Sequence, residues 1–589
     1  MPLRKIYLLL LSILSGLILA LAWPEHGFAG LLFVGLVPLL FVEDFISRHR
    51  ENFMKFGLLF YSYPAFFIWN LLTTWWICNS SFMGAVMAIV LNSLFLTIVF
   101  QVFSWAKRHL PTKFAGYVAL VSFWIAFEYL HLNWILTWPW LNLGNGFSSY
   151  YKWVQWYEFT GALGGTLWVL VSNVLLFETI KGFRISGFRF RVSGFGFQVS
   201  GFKVKEKVLL NNDPTSTISH LKSPIPPLPS KTDNRPLSFS LILIPILLLW
   251  IGLPIAGSYH IYNHYVEKAD PVRIVVVQPN VDPYNEQYSL PPAEVVDRIM
   301  RLAGPRLDST TNFLVAPESA IQEDMWENDM STFATLRMLR EIVHRYPTLN
   351  ILIGGSTFKA YGKGDRLTRT ARKFWNSDAY YDAYNAAILI NASDSVQLYH
   401  KSKLTPGVEA MPSFRGFKWL EEYALDLGGT VGSLGTDRLR KVYTTVETVP
   451  VSPAICYESV FGEFFAEFVR NGAQVMIIIT NDGWWGNTPG HRQHFAFAHL
   501  RAIETRRSIA RSANTGISAF IDQRGDAHDV TGYWVPAVIK GDLNANKELT
   551  FYVTYGDYIA RISVLLTALL ILISLVLRIF AKTRIAISH

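Results

Sequence analysis

The chain has 589 residues, of which 51% are hydrophobic, 15% aromatic and 16% charged, with a formal net charge of +9. Disordered, collagenous and coiled-coil chains are excluded, because they need few large apolar residues or a strict repeat. Only two cysteines, Cys78 and Cys456, exclude a disulfide-stapled scaffold.

A basic balance raises nucleic acid as a partner. Here Lys and Arg fall between apolar runs, so membrane topology accounts for them and no nucleic acid is expected. A bilayer core roughly 30 Å thick is crossed by a helix of roughly 20 apolar residues. Seven such stretches precede residue 260, over 6–23, 29–43, 55–77, 83–105, 115–132, 160–180 and 238–258. An eighth covers 560–580. The first reads as a membrane helix and not a cleaved leader: its apolar run is long and the next run begins at once.

The pattern predicts six transmembrane helices within 1–180, a seventh over 238–258 and an eighth over 560–580, with a cytoplasmic tail over 581–589. Residues 181–237 read as a basic, low-complexity cytoplasmic loop. S-G-F recurs there at 186, 193 and 200, but a glycine in every repeat argues against a heptad helix. The stretch 208–237 is rich in Pro, Ser, Asn and Thr and has the character of a linker. A basic stripe against anionic lipid is one use for this loop.

Alternate loops carry the cations: Arg48, Arg50 and Lys55; Lys107, Arg108 and Lys113; then the run from Lys181 to Lys207. The intervening loops 24–28, 78–82 and 133–159 hold one Lys and no Arg. The positive-inside rule then puts both termini in the cytoplasm and residues 259–559 on the outer face, the periplasm of a bacterium. Within that region the apolar runs are short and β-branched, as in RIVVVQ, NILIGG, NAAILIN and VMIIIT, so they read as strands.

Three residues at strand ends could carry chemistry. Cys456, in SPAICYESVFGEF, follows an apolar run and precedes a helix-like stretch. A thiol at such an elbow gains thiolate character from the helix N-terminus. The alternatives are a buried inert cysteine or a pair with Cys78. A thiol nucleophile needs a base, and none of His400, His491, His494 and His499 stands in a familiar Cys-protease context. Glu318, in NFLVAPESAI, follows a strand, where open α/β sheets keep their sites, although a solvated loop carboxylate is the plainer reading. Lys401, in QLYHKSKLTPGVE, also follows a strand and could steady an oxyanion as a fixed positive charge. Lys403 competes for that role.

Glu, Lys and Cys, each at a strand end and in that order, resemble the triad of the nitrilase superfamily. With the membrane helices included, the chain is similar to that superfamily's membrane-embedded branch, the apolipoprotein N-acyltransferases, over nearly its full length. The matching segments are TWPWLNLG at 137–144, APES at 316–319, YHKSKLTPGVEAMP at 399–412, ICYE at 455–458 and NDGWWG at 481–486. The family's LVPFGE-like stretch reads LTPGVE here, and K-x-x-L selects Lys401 over Lys403.

The resemblance implies a polytopic α-helical membrane protein of about eight transmembrane helices with an inserted α-β-β-α sandwich. It implies catalysis by Glu318, Lys401 and Cys456, with Glu409 as a second essential carboxylate. It further implies ping-pong acyl transfer from a phospholipid, phosphatidylethanolamine, to the α-amine of an S-diacylglyceryl apolipoprotein in the bacterial inner membrane, by a monomer without a cofactor. Tyr457 would offer its backbone N–H to the oxyanion, and Glu458 is a further supporting carboxylate.

Other expectations are local. Trp326, Trp375, Trp419, Trp484 and Trp485 are candidates for an aromatic mouth facing the bilayer. Asn481 and Asp482 shape the pocket or cap a helix, and Arg501, Glu504, Arg507 and Arg511 recur as an ion-paired helix face. The rival functions are a membrane-anchored amidase that uses water as acceptor, and a transporter, for which Glu128 and Asn92 are the few intramembrane polar residues. No metal-ligand spacing and no phosphate-binding glycine loop occurs.

Overall fold

The computed structural model describes residues 2–134, 136–185, 237–393, 395–410 and 433–587. Residues 186–236 of the expected loop over 181–237 lie outside these, as does Trp419.

All eight apolar stretches are helical. They form α1 (Pro2–Leu21), α2 (Val37–Arg48), α3 (Gly57–Thr74), α4 (Phe82–His109), α5 (Lys113–Asn133), α6 (Ala162–Ile185), α7 (Leu237–His264) and, at the far end, α12 (Tyr558–Ile587). Six segments among the described residues are long and apolar enough to cross a membrane: 29–48, 82–109, 113–133, 162–183, 241–264 and 558–581. The described apolar part of α1 is shorter, Lys5–Leu21. In α3, Tyr61, Ser62, Tyr63 and Asn70 dilute the apolar run. The second stretch begins as a 3₁₀ turn, Ala29–Phe33, before α2. The last helix continues through most of the expected tail.

Helix ends follow local chemistry. Ser81 caps α4 by accepting the Gly84 N–H at 3.0 Å, and Thr112 caps α5 by accepting the Ala115 N–H at 3.1 Å. Lys107, Arg108 and His109 close α4 where the helix dipole is negative. The polar residues inside the bundle are paired. Asn92 donates to Asn70 at 2.8 Å. Glu128 accepts from Trp124, from the Leu143 N–H and from Thr166 at 3.0, 2.9 and 2.7 Å. Both knit the bundle together, as expected of polar groups that must be satisfied inside protein at membrane depth.

Between α7 and α12 lies a two-sheet sandwich. One sheet holds β1 (Pro271–Gln278), β2 (Phe313–Val315), β3 (Ile321–Trp326), β4 (Asn350–Ala360), β5 (Arg372–Lys373), β6 (Tyr380–Ile390), β7 (Gln397–His400) and β13 (Ala537–Asn544). The other holds β8 (Val451–Ile455), β9 (Val475–Thr480), β10 (Ile509–Ala513), β11 (Ala519–Ile521) and β12 (Ala527–His528). The four apolar runs singled out in the sequence are β1, β4, β6 and β9.

Period-two alternation divides each inner strand between two cores. Val272, Ile274 and Val276 of β1 meet Ile477 and Ile479 in the inter-sheet core. Val275 and Val277 instead face α8 (Pro292–Ala303) and α9 (Ala334–Arg345). On the opposite side α10 (Gly462–Arg470) and α11 (Pro489–Thr505) cover the second sheet, which completes an α-β-β-α stack.

The sandwich sits on the helices through α11. Its Phe497, Leu500 and Ile503 share a core with the membrane helices, while Ala498 and Ala502 face the sheet. A helix enclosed on both sides has no solvated face, and the expected ion-paired helix face extends only over Arg501 and Glu504. Arg501 and Glu504 do pair, at 2.8 Å, but both are buried. The helix then ends, Arg506 takes a left-handed φ of +47°, and Arg507 turns to the carbonyls of Ala473 and Glu548. Arg511 lies on β10.

Candidate active site

The parallel strands β2, β8 and β9 end on one edge of the sandwich, and the loops after them converge there. After β2 the Pro317 carbonyl accepts the Gly354 N–H at 3.0 Å, which continues the ladder one step beyond the strand. Glu318 follows, and Ser319 turns the chain with φ +54°. Gly354 is required here: a Cβ at that position would stand 2.6 Å from the Glu318 Cα and 2.7 Å from the Pro317 oxygen.

Lys401 leaves β7 with its N–H on the Asn385 carbonyl at 2.8 Å. Its Nζ donates to Glu318 at 2.9 Å and to Glu409 at 2.9 Å, and the side chain is buried. Burial opposes that charge, but Glu318 and Glu409 more than offset it and hold the ammonium pKa well above the usual value. Burial likewise works against the Glu409 carboxylate, and Lys401 together with the Thr405 N–H brings its pKa below the usual value. Asn385 spans the two carboxylates, donating to Glu318 at 2.8 Å and to Glu409 at 3.0 Å. The Asn481 N–H donates to the other Glu318 oxygen at 3.1 Å.

Cys456 begins a five-residue 3₁₀ helix, Cys456–Val460, with a left-handed φ of +51°. Its thiol stands in the field of Glu318, Lys401 and Asp482 and within reach of Thr480. Burial is the main force that pushes the thiol pKa up, Glu318 and Asp482 add to it, and Lys401 and Thr480 oppose. Burial thus outweighs the gain of thiolate character expected at this elbow.

The supporting residues divide by contact. Glu458 is fully buried and accepts the N–H groups of Ile455 and Ser402 and the Tyr399 hydroxyl, at 2.7, 2.6 and 2.7 Å. It clamps the cysteine elbow to the lysine loop. Tyr457 donates its hydroxyl to the Thr137 carbonyl at 3.0 Å and stacks on Trp138, with ring centres 6.2 Å apart. Lys403 donates to the Leu132 carbonyl at the end of α5, 2.8 Å away, which removes it from the competition with Lys401. The nucleophile elbow is therefore seated against the loop that follows α5.

Asn481 bonds through its side chain to Gln287 and Asn514, at 2.7 and 3.2 Å. Asp482 caps no helix and pairs instead with Arg511 and His494. Trp485 packs on Trp76 and Trp140, at 5.0 and 5.9 Å between ring centres, so it docks the two parts of the chain together. Trp484 lies against Tyr284 and Tyr288. Trp326 stacks on Phe374 in a cluster with Phe358 and Tyr381. Trp375 is 97% exposed. Sequence reasoning missed Asn385 and Thr480; a lone polar residue in or at the end of an apolar strand was the available signal.

Two family models match the chain in order. The apolipoprotein N-acyltransferase N-terminal domain matches residues 15–175, and the carbon-nitrogen hydrolase family matches 271–547. The apolipoprotein N-acyltransferase of Chlorobaculum tepidum is 28% identical over 584 residues, covering 96% of each chain. That of Thermotoga maritima is 26% identical, covering 97% of this chain and 94% of its own. Among solved structures, an amidase from Nesterenkonia aligns with 48% of this chain and 95% of its own, at a TM-score of 0.32 and 16% identity. Since the helical and hydrolase-like parts match in a single order, and relatives match along almost the entire length, the chain belongs to the apolipoprotein N-acyltransferase family.

Proposed function

We propose that the protein N-acylates the α-amine of S-diacylglyceryl-cysteine at the N-terminus of apolipoproteins, through an acyl-thioester on Cys456. Glu318 takes the thiol proton as sulfur attacks an ester carbonyl of phosphatidylethanolamine. Lys401 and the Tyr457 N–H hold the oxyanion. The ester C–O bond breaks, the departing alkoxide takes the proton back from Glu318, and lysophospholipid leaves. The apolipoprotein amine, neutral in a fraction set by its pKa near 8, then attacks the thioester. Glu318 accepts the amine proton and returns it to the leaving sulfur, which restores the thiol.

The observation that carries this reading is the buried contact of Lys401 with Glu318 at 2.9 Å, beside a thiol that needs a base, on the edge of the sandwich that meets the membrane helices. Both substrates are lipids, so a site seated on the bundle is where they would arrive. The cations closing α4, opening α5 and closing α6 support a topology with termini and these loops in the cytoplasm and the sandwich in the periplasm. In this reading the enzyme is a monomer in the inner membrane.

The test is intact-mass analysis of purified protein in phosphatidylethanolamine nanodiscs. One acyl chain on Cys456, discharged by a diacylated lipopeptide, is expected. If a Cys456→Ala protein N-acylates the lipopeptide at the wild-type rate, the reading fails; release of free fatty acid in place of an N-acylated product would favour the amidase.

A further inference from the structure

Below the nucleophile runs a second chain of polar contacts that this acyl transfer does not use. Arg511 donates to one oxygen of Asp482 at 2.7 Å. The other oxygen accepts the Thr480 hydroxyl at 2.6 Å and lies 3.0 Å from His494 Nδ1. His494 Nε2 stands 3.1 Å from the Cys456 backbone carbonyl and 2.9 Å from the Ser459 hydroxyl. Ser459 itself donates to that carbonyl at 2.8 Å. Asp482, His494, Arg511, Thr480 and Ser459 are each no more than 1% exposed.

With the Ser459 hydroxyl donated to the carbonyl, Nε2 faces only acceptors there and carries hydrogen. Nδ1 lies between the Asp482 carboxylate at 3.0 Å and the Arg511 guanidinium at 3.2 Å. Arg511 holds the Asp482 carboxyl far below the usual range against its burial. His494 is thus clamped between the Asp482–Arg511 pair and the nucleophile's own carbonyl.

That carbonyl and the Tyr457 N–H belong to one peptide unit. Donors on the oxygen draw electron density through the planar amide and strengthen its N–H as a donor at the other end. They also brace Cys456 in its left-handed conformation, φ +51°, which a side-chain-bearing residue adopts only when its surroundings hold it there. We propose that His494, oriented by Asp482, is a positioning residue that polarises the Cys456–Tyr457 peptide and thereby strengthens the backbone donor facing the oxyanion. The proposal rests on the acyl-thioester reading.

The experiment is single-turnover acylation of Cys456 by phosphatidylethanolamine in nanodiscs, quenched and read by intact mass, for wild type, His494→Phe, His494→Gln and Asp482→Asn. Loss of an oxyanion donor costs about 10²–10³ in rate, so weakening one from behind is expected to cost roughly tenfold in His494→Phe. The concentration of lipid giving half-maximal rate should not move. His494→Gln, which keeps a neutral N–H toward the carbonyl, should recover most of the loss, and Asp482→Asn should fall between.

A wild-type rate in His494→Phe, a loss seen only as weaker lipid binding, or a Gln variant no better than Phe would overturn the proposal. If His494→Phe does not fold, Asp482→Asn decides, and a wild-type rate there overturns it. A wild-type protein that never carries the adduct removes the acyl-thioester reading and this proposal with it. An adduct that forms equally fast without the imidazole removes this proposal alone.

Discussion

Lys401 Nζ stands 2.9 Å from Glu318, and the same nitrogen is 2.9 Å from Glu409, so one buried ammonium serves two carboxylates. Lys401→Ala leaves those two anions facing each other without a counter-charge. Breaking a buried pair by removing one partner costs about 3–5 kcal/mol, so thermal unfolding should fall clearly and Cys456 acylation should disappear. Lys403→Ala removes an anchor to the Leu132 carbonyl and a cation–π contact with Phe461, and its acylation rate should stay within roughly tenfold of wild type, the range of such modest contacts. A Lys403 variant as inactive as the Lys401 variant would reverse the assignment.

The raised thiol pKa of Cys456 predicts how it meets an alkylating reagent. An unperturbed thiol titrates near 8.5. Here burial, Glu318 and Asp482 push it higher, so iodoacetamide labelling should show no titration between pH 6 and 8 and should still be rising at the alkaline end. The linkage has a definite sign. Above the unfolded thiol's pKa, the folded state binds more protons than the unfolded one, so this group's contribution to stability falls as pH rises from there. A labelling plateau reached near pH 7 would mean a preformed thiolate and would remove the need for Glu318 as base.

Gly354→Ala tests whether Glu318 is held by its backbone. The added carbon would meet the Glu318 Cα at 2.6 Å and the Ser319 nitrogen at 2.7 Å, none of it flexible side chain. Overpacking of this kind costs about 1–3 kcal/mol. The strand is anchored on both sides, so the Glu318 segment is what gives way. Acylation should fall by more than the stability loss explains, while alkylation of Cys456 stays near the wild-type rate. Equal losses in both would place the damage in the sandwich as a whole.

These contacts show why part of the site is legible along the chain and part is not. Glu318, Lys401 and Cys456 each end a short apolar run, and the end of a strand is a local feature. Asn385 sits inside β6 and reaches both carboxylates only because β6 pairs with β4 and β7. The spacing of Arg501, Glu504, Arg507 and Arg511 fits a helix, but the chain leaves the helix at a left-handed Arg506 that no pattern announces. Trp485 reads as a pocket aromatic until the partner surface, Trp76, is supplied by a segment roughly four hundred residues earlier. Local periodicity gives elements; the pairing of distant elements gives the second layer of contacts around the triad.

Glu458 gives the sharpest separation of structure from chemistry, because it is the neighbour of the nucleophile's neighbour yet makes only holding contacts. Its two oxygens take the N–H groups of Ile455 and Ser402 and the Tyr399 hydroxyl. Burial raises its carboxyl pKa, and those three donors oppose the rise. Glu458→Gln keeps the shape but turns one acceptor oxygen into an NH₂ that faces an N–H. Each buried group left unsatisfied costs about 1–3 kcal/mol, so the variant should unfold at lower temperature. If the residue only clamps, acylation by the protein that remains folded should be impaired through a displaced Lys401 loop, with an unchanged pH profile. If it shares the proton transfer, the pH profile itself should shift. Measuring acylation against pH at a temperature well below unfolding distinguishes these outcomes, and a shifted profile would promote Glu458 from clamp to participant.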